Sequence, residues 1–316
     1  MRHLFIVNPV AGGKKNDSGR VCREIEALMK TLGEDYEIYL TAGVMDAAEK
    51  VKREAVYGAE LRVYACGGDG TLSECAHGAA GYRNAAVTHY PCGTGNDFIK
   101  TFGEDKELFS DLEALVRGEA VPLDIIDVNG RKCIDIASVG IDARIAHDVH
   151  RYSNLPVVGK NGAYIVSLIV NLFKGINSRM RIETDDGRAI EGSFALACAC
   201  NGRYYGGGFN PSRTALADDG LLEFFIVKAV NIFQVAALIG KYAAGRADEV
   251  PEKIAHISGR RIRISADEEF IINVDGESLY AKSADMRIVP GGVNFIMPRG
   301  SRFIADRMGE KEPANV

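Results

Sequence analysis

Apolar positions follow two different patterns along this chain, and the change comes after Leu123. Before it, short continuous apolar runs alternate with stretches of helical period. Leu4-Phe5-Ile6-Val7 is such a run, closed by Asn8-Pro9, and Val21, Ile25, Leu28 and Leu32 then recur at helical spacing. Tyr36–Thr41 is strand-like, and Asp46 opens a second helix with Glu49 three residues on. Leu61–Cys66 and Ala86–Tyr90 are further strands, and Phe109–Val116 reads as another helix. This β-α-β-α rhythm predicts a three-layer α/β domain with a parallel sheet. After Leu123 the strand candidates lie next to one another. Met180–Thr184, the turn Asp185-Asp186-Gly187 and Ile190–Cys200 form a hairpin pattern. Leu221–Val227, Arg261–Ser265, Phe270–Val274, Met286–Val289 and Val293–Met297 continue it, with helices at Ala163–Lys174 and Ile232–Ala244. That half predicts an antiparallel β-sandwich. The fold class is α/β plus mainly β. The expected domains are 1–125 and 126–297, with 298–306 a candidate to complete the first and 307–316 a polar, disordered tail.

A chain of 316 residues exceeds what one hydrophobic core normally supports, which agrees with two domains. The net charge of -5 argues against a general nucleic-acid binder. Seven cysteines form no C-x-x-C pair, and Cys198 and Cys200 share one face of an apolar strand. The chain runs from Met1-Arg2-His3 straight into a strand with no signal peptide, so a reduced, cytoplasmic setting is expected. Gly162–Phe173 is apolar but too short to cross a bilayer, and Leu221–Gly240 is interrupted by Glu223, Lys228, Asn231 and Gln234. The expected protein is soluble or at most peripheral to a membrane.

Against that background the glycines carry the chemistry. Gly67-Gly68-Asp69-Gly70-Thr71 follows the apolar run Leu61–Cys66 directly. Adjacent glycines let a ligand approach the main chain. Thr71 and Glu74 have capping-box spacing, which predicts a helix beginning there, with its orphan amides and the loop amides forming an anion site. Asn8-Pro9-Val10-Ala11-Gly12-Gly13 follows the first strand in the same way; it is not a Walker loop, since Lys14 is not followed by Ser or Thr. Pro91-Cys92-Gly93-Thr94-Gly95-Asn96-Asp97 follows the fourth strand. Each alone could be an ordinary turn; three at the carboxyl ends of parallel strands would converge on one sheet edge, as a nucleotide site requires. In the β half, Asp275-Gly276-Glu277 is a hairpin turn on local grounds, with Glu277 as a candidate general base. Ala217-Asp218-Asp219-Gly220 is a turn or a hard-cation site.

Taken in order, Asn-Pro-x-x-Gly-Gly, Gly-Gly-Asp-Gly-Thr, Pro-x-Gly-Thr-Gly-Asn-Asp, Leu-x-Asp-Asp-Gly and Asp-Gly-Glu resemble the soluble bacterial diacylglycerol kinase family. That family contains lipid kinases related to sphingosine kinases and more distantly to NAD kinases. The resemblance runs from Asn8 to about Met297. It implies an ATP- and Mg²⁺-dependent lipid kinase with its active site in the interdomain cleft, phosphorylating the hydroxyl of a membrane lipid, diacylglycerol first. ATP would be held by Asn8, Pro9, Val10, Ala11 and Gly12 and by Gly67, Gly68, Asp69, Gly70, Thr71, Leu72 and Ser73, with Thr41, Thr94 and Asn96 completing the pocket. Asp69 would help place the catalytic Mg²⁺, Asp97 would share its acidic network, and Glu277 would take the proton from the acceptor hydroxyl. Asp219, with the carbonyls of Leu216 and Leu221, would coordinate a structural Mg²⁺, although adjacent Asp218 leaves that choice open. A second departure follows Thr41, where Gly43 is displaced and Asp46-Ala47 carries the match.

The resemblance further implies transient peripheral contact with the inner membrane face, no nucleic-acid partner, and a homodimer on resemblance alone. The apolar faces of Ala163–Phe173 and Ile232–Ala244 are candidates for acyl-chain or membrane contact, or simply cover the sheets. Arg144, Arg151, Lys160 and Lys174 could meet anionic headgroups or be ordinary solvated cations. Two other functions compete: an NAD kinase, for which no clear Asn-Asn-Glu/Asp-type element is present, and a non-catalytic nucleotide- or lipid-binding regulator, against which Asp69, Asp97 and Glu277 all stand.

Overall fold

A computed structural model describes residues 1–12, 18–153 and 159–310. The chain divides into two compact units, 1–123 with 291–316, and 124–290. In chain order the elements are β1 (Arg2–Val7), α1 (Ser18–Leu32), β2 (Tyr36–Leu40), α2 (Asp46–Val56), β3 (Leu61–Gly67), α3 (Asp69–Ala79) and β4 (Ala85–Pro91). A run of 3₁₀ turns over Phe98–Ser110 follows, then α4 (Leu112–Val116), β5 (Glu119–Val128), β6 (Arg131–Cys133), β7 (Ile136–Gly140), α5 (Ile141–Ser153) and α6 (Gly159–Lys174). The remainder is β8 (Ser178–Thr184), β9 (Ala189–Cys200), β10 (Leu222–Lys228), α7 (Ile232–Ala243), β11 (Ile254–Gly259), β12 (Arg261–Val274), β13 (Glu277–Met297) and α8 (Arg302–Glu310).

The first unit is built on buried parallel strands. β1 pairs with β2 on one side and β3 on the other, and β3 pairs with β4. The end of β13 adds a fifth parallel strand, with Asn294 opposite Ala86 and Phe295 opposite Val87. Strands buried on both faces read as unbroken apolar runs, as Leu4–Val7 and Leu61–Cys66 do. Right-handed crossovers place α1 on one face of this sheet and α2 and α3 on the other. The chain winds from β1 to β2 in one direction and from β3 to β4 in the opposite one, so the topological switch point lies between β1 and β3. Phe98, Phe102, Phe109 and Phe295 pack ring against ring, with centroids 5.6–6.0 Å apart, and tie the returning strand to the 3₁₀ segment.

The second unit is antiparallel. β9 pairs with β8 through Ala189–Phe194 and with β7 through Leu196–Cys200. β12 does the same, meeting β8 through Ile262–Ser265 and β7 through Ile272–Val274. Two long strands thus pass from one layer of the sandwich to the other, and β12 turns the corner at the irregularity between Ser265 and Phe270. Met180, Ile182, Phe194, Phe224, Ile262 and Ile264 are among the residues that fill the space between the layers.

Several sequence expectations change. The helix expected over Phe109–Val116 breaks at Asp111, whose carboxylate caps α4 through the Ala114 amide at 3.0 Å. The capping box at Thr71 and Glu74 does not form: α3 starts at Asp69, and Glu74 accepts from the Ala47 amide at the head of α2 instead. Arg307–Glu310 belong to α8 rather than to a disordered tail, and 311–316 lie outside the described residues. The Cys198 and Cys200 sulfurs do share a face, 3.9 Å apart and buried. No helix among the described residues is long and apolar enough to cross a membrane.

Candidate functional site

The first unit brings three loops to the carboxyl ends of β1, β3 and β4. At the end of β1, Asn8 Oδ1 accepts from the Val10 amide at 3.0 Å, which folds the loop back on itself. Its Nδ2 donates to Thr71 Oγ1 at 3.2 Å, a bond that spans the switch point from β1 to the first turn of α3. Thr41, just past β2, donates its amide to the Val7 carbonyl at 3.0 Å. The β3 and β4 loops approach main chain to main chain. Cys92 and Gly93 donate their amides to the Gly67 carbonyl at 2.8 and 3.0 Å. A Cβ on Gly93 would stand 2.5 Å from Gly68 Cα, and one on Gly67 would stand 2.2 Å from Thr71 Oγ1. Those glycines are required by close approach.

Asp69 holds the β3 and β4 loops together. Its Oδ1 accepts from the amides of Asp97 and Phe98. Its Oδ2 lies 2.7 Å from where a Cβ on Gly95 would stand and accepts no hydrogen bond among the described residues. Burial pushes the Asp69 carboxyl up, His89 opposes that, and Asp97 adds to it. His89 lies fully buried beneath the loop with Nε2 3.1 Å from the Gly67 carbonyl, and burial pushes its pKa down. Asp97 is itself buried and pairs with Lys100. Asn96 takes the left-handed conformation at φ 51° and donates to the Gly93 carbonyl at 3.1 Å, while its buried Oδ1 has no hydrogen-bond partner. An uncommitted carboxylate oxygen and an orphaned amide oxygen on one loop pair are the hard donors a Mg²⁺–phosphate group takes. The amides at the start of α3 point the same dipole outward.

Not every expected residue faces outward. Pro9, Val10, Gly70 and Thr94 are exposed, whereas the Leu72 and Ser73 side chains are buried. The Cys92 and Gly93 amides are consumed by Gly67, so the anion-binding amides are fewer than the loop sequences suggested. Gly13 and Lys14 lie outside the described residues. Sequence reasoning missed Lys100 and His89; the i,i+3 spacing of Asp97 and Lys100 was the available signal for the first.

In the second unit, Asp275 and Gly276 form a two-residue turn between paired Val274 and Glu277, at φ 50° and 94°. The Asp275 carboxylate accepts from the amides of Ile134, Asp135 and Ile136 at 2.8–3.1 Å and from the Cys133 thiol. Glu277, first in β13, is half-buried, and its carboxylate has no hydrogen-bond or ion-pair partner among the described residues. The Asp219 region is a folded turn: Asp219 Oδ1 accepts from the Leu221 amide at 3.0 Å, and Asp124 Oδ2 accepts from the Gly220 amide at 2.7 Å. Burial raises the Asp219 pKa, helped by Asp124, Glu223 and Asp218. Among the described residues no three His, Cys, Asp or Glu side chains could hold a metal together, so a cation at Asp219 would depend on main-chain oxygens.

A cavity of about 80 Å³ opens between α5, α6, α7 and the sheet. Ile141, Leu168, Leu196, Val235 and Leu238 are among its apolar walls, and Asp142 and Tyr242 are among its few polar ones. Phe173 and Phe233, at the end of α6 and the start of α7, are 81% and 83% exposed. Paired bonds between Asn177 and the Val230 main chain, 2.8 and 2.9 Å, hold those helix ends together. Arg144 donates to the Gly175 carbonyl, and exposed Lys174 pairs with Asp148. The side chains of Arg151 and Lys160 lie outside the described residues.

Residues 2–128 match the family model of the diacylglycerol kinase catalytic domain, and residues 135–297 that of the YegS C-terminal NAD kinase beta sandwich-like domain. A "Probable lipid kinase YegS-like" of Shewanella frigidimarina is 27% identical over 244 residues, covering 75% of this chain and 76% of that one. A "Diacylglycerol kinase" of Staphylococcus carnosus is 27% identical over 277 residues, covering 87% and 88%. The crystal structure of a diacylglycerol kinase from Bacillus anthracis has the same fold, with TM-score 0.69 over 95% of this chain and 98% of that one at 23% identity. On both domain matches, the chain belongs to the diacylglycerol kinase-like family of lipid kinases, phosphotransferases with an alcohol acceptor.

Proposed function

We propose that the protein transfers the γ-phosphate of ATP to the hydroxyl of diacylglycerol, giving phosphatidic acid, in a Mg²⁺-dependent reaction. The observation that carries this reading is the hydrogen bonding of Asn8 to Thr71 and of Asp69 to Asp97, which joins three glycine-rich loops at the switch point of a parallel sheet. Asn8–Gly12, Gly67–Ser73, Thr41, Thr94 and Asn96 hold the nucleotide; Leu72 and Ser73 do so through the main chain, since their side chains face the core. Asp69 keeps Oδ2 toward the phosphates, and Asp97, with Lys100, fixes the loop beneath. Mg²⁺ held by Asp69 Oδ2 and Asn96 Oδ1 would supply positive charge against the negative charge that spreads over the phosphates in transfer.

Glu277 takes the proton of the acceptor hydroxyl, a contribution typically worth ~10²–10⁴ in rate. An unpartnered carboxylate on a turn fixed by four bonds to Asp275 suits that role. Asp219 and the carbonyls of Leu216 and Leu221 would hold a structural Mg²⁺, whose charge would offset the burial and the neighbouring carboxylates that raise Asp219. A hydrocarbon chain of the acceptor enters the apolar cavity beneath α5, α6 and α7, and Phe173 and Phe233 rest at the membrane interface where that lipid resides. The test is transfer of labelled γ-phosphate from ATP and Mg²⁺ to diacylglycerol, phosphatidylglycerol, undecaprenol, sphingosine and NAD in mixed micelles. Label on diacylglycerol is expected; label on another lipid alone would correct the acceptor, and label on NAD alone would overturn the reading.

A further inference from the structure

The turn that carries Glu277 is also held from the inside of the second unit, by residues that no part of the reaction so far uses. Asn273 precedes the turn by two positions and is 4% exposed. Its Oδ1 accepts from the Gly276 amide at 2.9 Å, inside the turn itself. Its Nδ2 donates to Ser138 Oγ at 3.2 Å, and Ser138 is its direct cross-strand partner on β7. Ser138 in turn donates to Asp142 Oδ2 at 2.6 Å, in the first turn of α5. Asp142 also receives the Tyr205 hydroxyl and forms part of the cavity wall.

All three side chains are buried in a region whose other strand residues are apolar, where a polar group left without a partner is destabilising. Every bond along the line has the same sense: Gly276 donates to Asn273, Asn273 to Ser138, Ser138 to Asp142. Such a chain polarises cumulatively toward the carboxylate that ends it. Turn stability alone does not call for it, because the Asp275 carboxylate already takes three amides and a thiol on the other side. What the inner line adds is a second anchor, at Gly276, immediately before Glu277. Two anchors on opposite sides of a two-residue turn fix the direction in which the next side chain leaves it. An error of an ångström in the placement of a reacting group costs about 10²-fold in rate.

We propose that Asn273, Ser138 and Asp142 are positioning residues for Glu277, forming a buried relay that runs from the wall of the apolar cavity to the turn bearing the base. The inference rests on the reading of Glu277 as general base. It assigns no contact with substrate to the three residues; they act through the turn.

The experiment is steady-state kinetics with ATP and diacylglycerol on wild type, Asn273→Ala, Asn273→Asp, Ser138→Ala, Glu277→Gln and the double variant Asn273→Ala/Glu277→Gln, with a melting temperature for each. Asn273→Ala is expected to lower kcat about 10- to 100-fold while KM for ATP stays within about twofold. Asn273→Asp keeps an acceptor for the Gly276 amide and should recover most of the loss. The double variant should be no slower than Glu277→Gln alone, because a misplaced base and a missing base are the same defect. Loss of packing alone would instead slow both backgrounds equally. If Asn273→Ala fails to fold, Ser138→Ala is read by the same criteria, with a smaller loss of kcat. Wild-type kcat in the folded relay variants, or losses that multiply in the double variant, would overturn the relay while leaving an inactive Glu277→Gln to support the base. Wild-type kcat in Glu277→Gln would remove the base itself, and the relay with it.

Discussion

At the scale of single residues, the position proposed for Asp69 carries an electrostatic cost. Burial raises its carboxyl pKa from the ordinary value of 3.8, and neighbouring Asp97 adds to the shift. A carboxyl whose folded pKa lies above its unfolded pKa binds more protons when folded, so stability is lost as pH rises from the unfolded value through the folded one. Asp69→Asn removes that cost and keeps an acceptor for the Asp97 and Phe98 amides. It should melt higher than wild type at pH 7, with the difference shrinking toward pH 3, while transferring no phosphate. An Asp69→Asn protein that melts lower at pH 7 would contradict this account of the carboxylate. Gly95 gives a purely steric counterpart. A methyl there would stand 2.7 Å from Asp69 Oδ2, so Gly95→Ala should cut kcat/KM for ATP at least about tenfold with little change in melting temperature. Unchanged kinetics would show that this oxygen need not stay where it is.

At the scale of elements, legibility followed burial pattern. β1 and β3 were readable because strands buried on both faces become continuous apolar runs, and the glycine-rich loops after them sit where such a sheet binds ligands. β7 was not readable: Ile136-Ala137-Ser138-Val139-Gly140 is short and carries the buried Ser138 in its middle. β12 looked like two strands because Asp267-Glu268-Glu269, at its corner, is polar and faces solvent. In the site, the motifs pointed to Asp69, Asp97 and Glu277, whereas the pairing of Asn8 with Thr71 and of Asn273 with Ser138 depends on register between strands remote in sequence. Glu74 shows how tertiary structure overrides a local signal, since it caps α2 rather than its own helix. Asp105 is a similar case: its carboxylate takes the Ser301 hydroxyl and the Arg302 and Phe303 amides at 2.6–3.1 Å, fastening the start of α8. Asp105→Ala should cost about 2 kcal/mol and raise amide exchange first across Arg302–Glu310. Exchange unchanged in α8 would mean that packing alone holds it.

At the scale of the whole molecule, the chain leaves the first unit after Leu123 and returns to it at Gly291. The return supplies Phe295 to the aromatic cluster, and Thr88 Oγ1 donates to the Ile296 carbonyl at 2.8 Å. A chain ending at Pro290 should therefore leave the first unit without a cooperative melting transition, and cooperative melting of residues 1–123 in that chain would contradict this. The most direct measurement is single-turnover transfer of labelled γ-phosphate from ATP to diacylglycerol by wild type, Asp69→Ala and Glu277→Gln, each verified as folded. The account predicts labelled phosphatidic acid from wild type, none from Asp69→Ala, and a rate at least about 10²-fold lower from Glu277→Gln. Transfer at the wild-type rate by folded Asp69→Ala would contradict it at its centre.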